Sequence, residues 1–308
     1  MRKEEKAKEG GKTSGAADAE VALNGEVLNR ALRDVSRTVD GSGYAFTRLI
    51  CCGKGVTSLP DALQHYVHLR YIDISGNKIS NLTAFSRLPN LLSLNAAENN
   101  IEDVSCLASP GALPYLSLLN LSNNRISKAP TLPLQRLTRL SLDANPITTL
   151  TGFVYPPSLT HLSLRGTPLE SLDCLPLSDT LTSLYLSHTR IQQLLPLEKF
   201  PQIKTLDLEG CALPSEQLKV LVSLPMLKEV CLSPLGTSAG DDQFRSEILK
   251  VLPRLQWING REVTSDELTA ATTPCETNVQ EEMGLDQPLS AARVLKSVVN
   301  PVPAASYC

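Results

Sequence analysis

Tyr66 to Leu82 reads YVHLRYIDISGNKISNL. Leu69, Ile72, Ile74, Asn77 and Ile79 hold spaced slots within it, and these slots return around Asn99, Asn124 and Asn145 at steps of 22, 25 and 21 residues. The frame then continues in steps of 22 to Thr167, Thr189 and Cys211. One unit fits before it, with Phe46, Leu49, Cys51 and Val56 in the apolar slots and Lys54 in the Asn slot. Another fits after it, at Leu227, Val230 and Leu232. Self-similarity at such a period implies units that cannot bury an apolar face alone and must stack on their neighbours.

Each unit carries a stretch such as Leu69 to Ile74 that alternates apolar and polar residues, the pattern of a strand with one buried face. The frame is that of a leucine-rich repeat, and about nine repeats over 46–240 predict an α/β fold: a curved solenoid with a parallel sheet on its concave face. The recurrent asparagine has a structural explanation, because a buried amide at the turn leaving a strand can pair backbone groups of its own and adjacent coils. Thr167, Thr189 and Cys211 offer fewer hydrogen bonds, so the C-terminal half is expected to be less well tied.

Both ends of a solenoid expose apolar surface. At the N-terminal end Val27, Leu28, Leu32, Val35 and Val39 predict a capping helix over Glu26–Val39, broken at Gly41-Ser42-Gly43. At the other end Phe244 to Leu252 predicts a helix stopped by Pro253, with Leu255, Trp257 and Ile258 before a turn at Asn259-Gly260; Trp257, the only tryptophan, is expected to supply the bulk of this cap. The expected organisation is a disordered tail over 1–25, a repeat domain with helical caps over 26–263, its C-terminal cap at 241–263, and a mostly disordered tail over 264–308. Leu289–Val299 is compatible with one amphipathic helix in that tail.

A net charge of −3 and 4% aromatics argue against a nucleic-acid groove, which needs a basic surface and stacking rings. No apolar run reaches the roughly 18–20 residues that span a bilayer, and Met1-Arg2-Lys3-Glu4-Glu5 does not read as a signal peptide. The eight cysteines are scattered without C-x-x-C spacing, which fits a reducing compartment. The expectation is a cytoplasmic protein that binds neither membrane nor nucleic acid.

Catalytic patterns are missing. Gly11-Lys12-Thr13 lacks the earlier glycine of a phosphate-binding loop, Lys6 standing in its place. His65 and His68 have no Cys or acidic cluster at ligand spacing. His161 and His188 fall in different repeats, with no Ser or Cys in a G-x-S-x-G elbow. A non-enzyme without cofactor or metal is expected.

Binding residues are sought at the polar positions flanking each strand's central apolar residue, because those face the cradle. Arg48, Tyr71, Arg139, His161 and Glu229 lie in one file, where Leu118 stands among polar neighbours. Asp73, Asn95, Asn120, Tyr185 and Asp207 lie in a second, and Arg165 just past a strand end. The strip is mixed in sign, with Tyr71, Tyr185 and Arg139 of the residue types that anchor interfaces.

The repeat wording, closed by Phe244-Arg245 through Leu252-Pro253 to Asn259-Gly260, is similar to a subclass that includes a phosphatase-1 regulator, the spliceosomal U2 A-prime subunit, tubulin-folding cofactors and many axonemal proteins. Within it, SRTVDGSGYAFTRL (36–49), the opening 66–82 stretch, LPYLSLLNLSNNRI (113–126), LTRLSLDANPITTLTGF (137–153) and FRSEILKVLPRLQWING (244–260) resemble the family of leucine-rich-repeat-containing protein 23. That resemblance covers residues 30–262 and implies a scaffold element of the radial spoke in the axoneme of a motile cilium or flagellum, gripping another spoke subunit. The short, mixed-charge N-terminal tail and the Thr and Cys in the later Asn slots depart from the family pattern. The alternative is a cytoplasmic or nuclear regulatory adaptor, such as a protein phosphatase 1-binding repeat protein.

Overall fold

The computed structural model describes residues 22–272 apart from 24, 39, 110 and 234–240. The possible helix at Leu289–Val299 lies outside them, as does nearly all of the expected N-terminal tail.

Twelve strands form one sheet in sequence order. A helix α1 (Gly25–Ala31) leads into β1 (Leu32–Arg37), which turns back as β2 (Tyr44–Ile50). One short strand per coil follows: β3 (Tyr71–Asp73), β4 (Ser93–Asn95), β5 (Leu118–Asn120), β6 (Arg139–Ser141), β7 (His161–Ser163), β8 (Ser183–Tyr185), β9 (Thr205–Leu208), β10 (Glu229–Leu232) and β11 (Trp257–Ile258). Strands β2 to β11 run parallel, while β1 and the closing β12 (Arg261–Glu262) pair antiparallel at the two edges. The convex return segments carry single 3-10 turns, such as Asp61–His65 and Leu195–Lys199. Helices α2 (Asp241–Val251) and α3 (Ser265–Thr272) complete the C-terminal end.

The repeat leucines and isoleucines make one continuous core along the solenoid. Between coils the asparagines act as expected. The Nδ2 of Asn124 donates to the carbonyls of Ala96, Leu121 and Ser122, and its Oδ1 accepts from the amide of Ile101, tying two coils together. Asn77, Asn99 and Asn145 repeat the arrangement. Thr167 reaches only the Leu164 carbonyl of its own coil, and Thr189 reaches Leu186 and the Cys211 thiol. Asn124→Ala is therefore expected to cost about 1–3 kcal/mol by leaving buried backbone groups unpaired, more than Thr167→Ala. Urea unfolding, with hydrogen exchange at the Ile101 amide, checks both the size and the location.

In successive coils the residue before the Asn slot is left-handed: Gly76, Glu98, Asn123, Ala144, Gly166, His188 and Gly210 all have positive φ. This aims their amides at the next coil, as in Asn123 N–H to Asp143 O and His188 N–H to Glu209 O. The close approach is tightest at Gly210, where a Cβ would meet the His188 ring at 2.3 Å.

The helix expected at Phe244 to Leu252 is present as α2, but the N-terminal cap and the role of Trp257 depart from expectation. The helix expected over Glu26–Val39 stops at Ala31 and the chain continues as β1. Antiparallel pairing with β2, across a turn that includes Gly41-Ser42-Gly43, captures backbone groups that a helix would have used internally. Pairing also turns Phe46 outward opposite Val35, both exposed, and buries Thr47 instead, whose hydroxyl donates to the Asp34 carbonyl. Phe46 is therefore not a core residue.

At the other end Trp257 is 41% exposed; Phe244, Leu255 and Ile258 fill the cap. Ordered structure also outruns the expected limits of 26 and 263. Leu23 is buried and Ala22 bridges Ser58, while α3 packs on the core through Ala271. A buried Arg245 joins α2 to α3 through Glu267 and donates to the carbonyls of Ile258 and Glu262.

Candidate protein-binding face

Strand register decides which side chains share the concave face. Arg48, Tyr71, Ser93, Leu118, Arg139, His161, Ser183, Thr205, Glu229 and Trp257 are consecutive partners across the sheet and form one file. Ile50, Asp73, Asn95, Asn120, Ser141, Ser163, Tyr185, Asp207 and Cys231 form the second. Eleven of the twelve expected residues fall in these files, and Arg165 stands two residues beyond Ser163. Trp257 and Ile50 join the face without having been expected there. Leu255 and Ile258 match the slots of Leu69 and Ile72, so the repeat frame itself places Trp257 opposite the Tyr71 position.

The files differ in chemistry. In the second, polar side chains spend much of their capacity on the turn that leaves the strand: Asp73 Oδ1 accepts from the Ser75 amide and hydroxyl, Asn95 from the Ala97 amide, Asn120 from the Ser122 amide, and Asp207 from the Glu209 amide. These i to i+2 bonds shape the turn. Burial would push the Asp73 carboxyl up, but bonds from Ser75, Cys52 and Asn95 outweigh it and hold the group below its ordinary value. Asp207 is buried, its carboxylate covered by Arg165 at 2.7 Å.

The first file is more open. Tyr71, Leu118 and Trp257 present exposed apolar surface. Arg48 stacks 5.2 Å from the centre of the Tyr71 ring and pairs with Asp34, while Arg165 stacks 4.5 Å from Tyr185. Leu118, Arg139, His161 and Tyr185 border a shallow concavity of about 400 Å³. The His161 imidazole is held below its ordinary value by burial and then by Arg139.

The nearest approach to a nucleophile and base is Thr160 Oγ1 at 2.8 Å from His161 Nδ1. That hydroxyl also donates to the Thr138 carbonyl, which commits its proton to the sheet. Among the described residues no group of three or more His, Cys, Asp or Glu is placed to hold a metal, and no helix is long and apolar enough to cross a membrane. Six described cysteines are unpaired. The face offers stacking surface, paired charge and hydrogen bonds, which is the chemistry of protein recognition.

Comparison with known proteins agrees with the fold. A family model described as Leucine Rich Repeat matches residues 68–88. Leucine-rich repeat-containing protein 23 from Bos taurus is 30% identical over 130 residues, 42% of this chain and 36% of that protein. The Homo sapiens protein of the same name is 31% identical over the same shares. The chain spans about a third of the length of these relatives. Among solved structures, an internalin C2 from Listeria monocytogenes superposes with a TM-score of 0.53 at 25% identity, covering 61% of this chain and 80% of that one.

Proposed function

We propose that this leucine-rich-repeat protein, an interaction scaffold by its fold, is a structural subunit of the axonemal radial spoke that grips a neighbouring spoke protein in its concave face. The observation that carries the reading is the open file running from Arg48 through Tyr71, Leu118 and Arg139 to Trp257 on an uninterrupted sheet. Aromatic and arginine anchors on a rigid, pre-formed surface suit a scaffold, since little ordering cost is added on binding. Similarity to leucine-rich repeat-containing protein 23 supports the axonemal setting through the family resemblance.

The test is to tag the protein at its own locus in a flagellated cell, extract with detergent, and identify crosslinked neighbours by mass spectrometry. Retention on the axoneme beside radial-spoke subunits is the expected result. Complete release into the soluble fraction overturns the axonemal reading, and recovery with a phosphatase in comparable amount replaces it with the regulatory adaptor.

A further inference from the structure

The N-terminal hairpin is longer than the coil it joins. Strand β2 pairs with β3 only over Arg48–Ile50, whereas it pairs with β1 from Tyr44 to Leu49. Before Thr47, whose carbonyl accepts from the Arg70 amide, β2 has no strand beside it on the β3 side, and the hairpin there is a ribbon of two strands. Such ribbons are marginal alone and gain from a third strand over an apolar face. This one has the face: Val35, Tyr44 and Phe46 share the side of Arg48 and are 58%, 75% and 41% exposed.

The outer edge of β1 is open. It is terminal in the sheet, with β2 its only neighbouring strand among the described residues. The Thr38 amide donates to the Gly43 carbonyl, so alternation along the antiparallel pair turns the Ser36 backbone groups toward Ala45 and those of Val35 and Arg37 outward. Asp34, left-handed at φ 52 with its carbonyl taken by the Thr47 hydroxyl, interrupts the strand on the other side, so the regular stretch of edge is 35–38. The opposite end of the sheet shows the usual defence of a free edge, since β12 is two exposed, charged residues. Strand β1 instead keeps Val35 at its edge. Arg30 and Arg48 are paired with Glu26 and Asp34, whereas Arg37 is exposed and has no ion-pair partner among the described residues.

We propose that the edge of β1 at 35–38 is a second docking site, distinct from the open file that ends at Arg48, and that it accepts an extended strand of a partner protein with an apolar residue opposite Val35 and an acidic residue, two positions away, opposite Arg37. In this mode main-chain bonds to the outward groups supply affinity, and alternate side chains supply selectivity. Side chains directly opposite on one face interact, and opposite charges there are favourable. Arg37 therefore selects the acid, while Val35 and Phe46 receive the apolar residue. A helix bonds its own backbone and leaves the edge unpaired. A second copy of this chain fits less well: antiparallel pairing centred on Val35 sets Arg33 against Arg37 twice, and pairing centred on Arg37 sets that residue against itself. Like charges directly opposite are unfavourable.

The test uses the full chain and a fluorescein-labelled peptide of about eight residues, a repeated Val-Thr-Glu-Thr, which alternates Val and Glu on one face in either strand direction. By fluorescence anisotropy it is expected to bind about fivefold tighter than the same peptide with Lys in place of Glu. Arg37→Glu should reverse that order without moving the melting temperature, because the side chain is exposed. Methylating the peptide's backbone nitrogens should abolish binding. In hydrogen exchange, the peptide should slow the amides of 35–38 and leave the concave strands over 93–141 unchanged. Absence of binding, equal affinity for the Glu and Lys peptides, binding that survives backbone methylation, or slowed exchange on the concave strands instead overturns the proposal. So does a dimer in sedimentation whose 35–38 amides are protected before peptide is added, since the occupant is then a second copy. None of these results bears on what the concave file grips.

Discussion

Glu267→Ala is expected to destabilise the C-terminal end of the solenoid by about 1.5–3 kcal/mol, because it removes a carboxylate that takes charge-assisted hydrogen bonds from a buried guanidinium. Arg245 is 2% exposed, and its Nε and Nη2 reach the two Glu267 carboxylate oxygens at 2.8 and 3.1 Å. The same guanidinium also donates to the Ile258 and Glu262 carbonyls. Glu262→Ala, on the exposed edge strand β12, is the control and should stay within about 0.5 kcal/mol of the parent. Acid should reproduce part of the effect. The Arg245 hydrogen bond, with further bonds from Thr264, holds the Glu267 carboxyl at about 2 against an ordinary value of 4.5. A carboxyl with a lowered folded pKa adds stability in full above its unfolded value and loses it as pH falls through the folded one. This contribution is thus present above about pH 4.5 and fades toward pH 2, and Glu267→Ala lacks it. Urea titrations of both proteins between about pH 7 and pH 2.5 decide the matter: parallel curves would remove the ion pair as the clasp of the cap.

The second large effect separates core from cradle. Leu142→Ala deletes a side chain at 0% exposure in the middle coil and should cost about 2–5 kcal/mol through the cavity it leaves. The double variant Arg139→Glu with Tyr71→Ala alters only the open file, where the loss of Arg48 stacking is about 0.5–1 kcal/mol. Its melt should move little, while capture of the partner falls by more than about tenfold, the usual consequence of removing interface anchors. Thermal melts by circular dichroism, paired with crosslinking on the axoneme, read the two quantities separately. If both variants lose stability and binding together, the cradle is not the docking surface.

Much of the face is legible in the sequence because a period-two strand inside a fixed repeat leaves no freedom in where a side chain points. The Leu69 and Ile72 slots alone place Tyr71, Arg139 and Glu229 together, and the same count brings in Trp257. The size of Trp257 suggests burial, yet the cap is filled by Phe244, Leu255 and Ile258, and the strand register leaves the indole on the open face. The left-handed slot is hidden for a different reason. Four of its seven occupants, Glu98, Asn123, Ala144 and His188, are not glycine, so composition carries no signal. Cross-coil bonds from their amides hold that conformation against its steric cost, which is about 1–2 kcal/mol per residue.

Local periodicity therefore determined the solenoid, the parallel sheet, the asparagine ladder and the contents of the concave files, because each depends on contacts repeated at a constant sequence offset. Tertiary structure alone decided the N-terminal cap, the exposure of Trp257 and the charge pairing. The segment from Leu32 has apolar spacing that suits a helix, yet the edge of β2 offers it paired backbone and it becomes β1. Arg245 meets Glu267 across 22 residues, and Arg165 covers Asp207 from a coil two repeats away. A repeat pattern specifies what recurs; contacts that occur once, where the stack ends or two charges meet, are set by the folded chain in space.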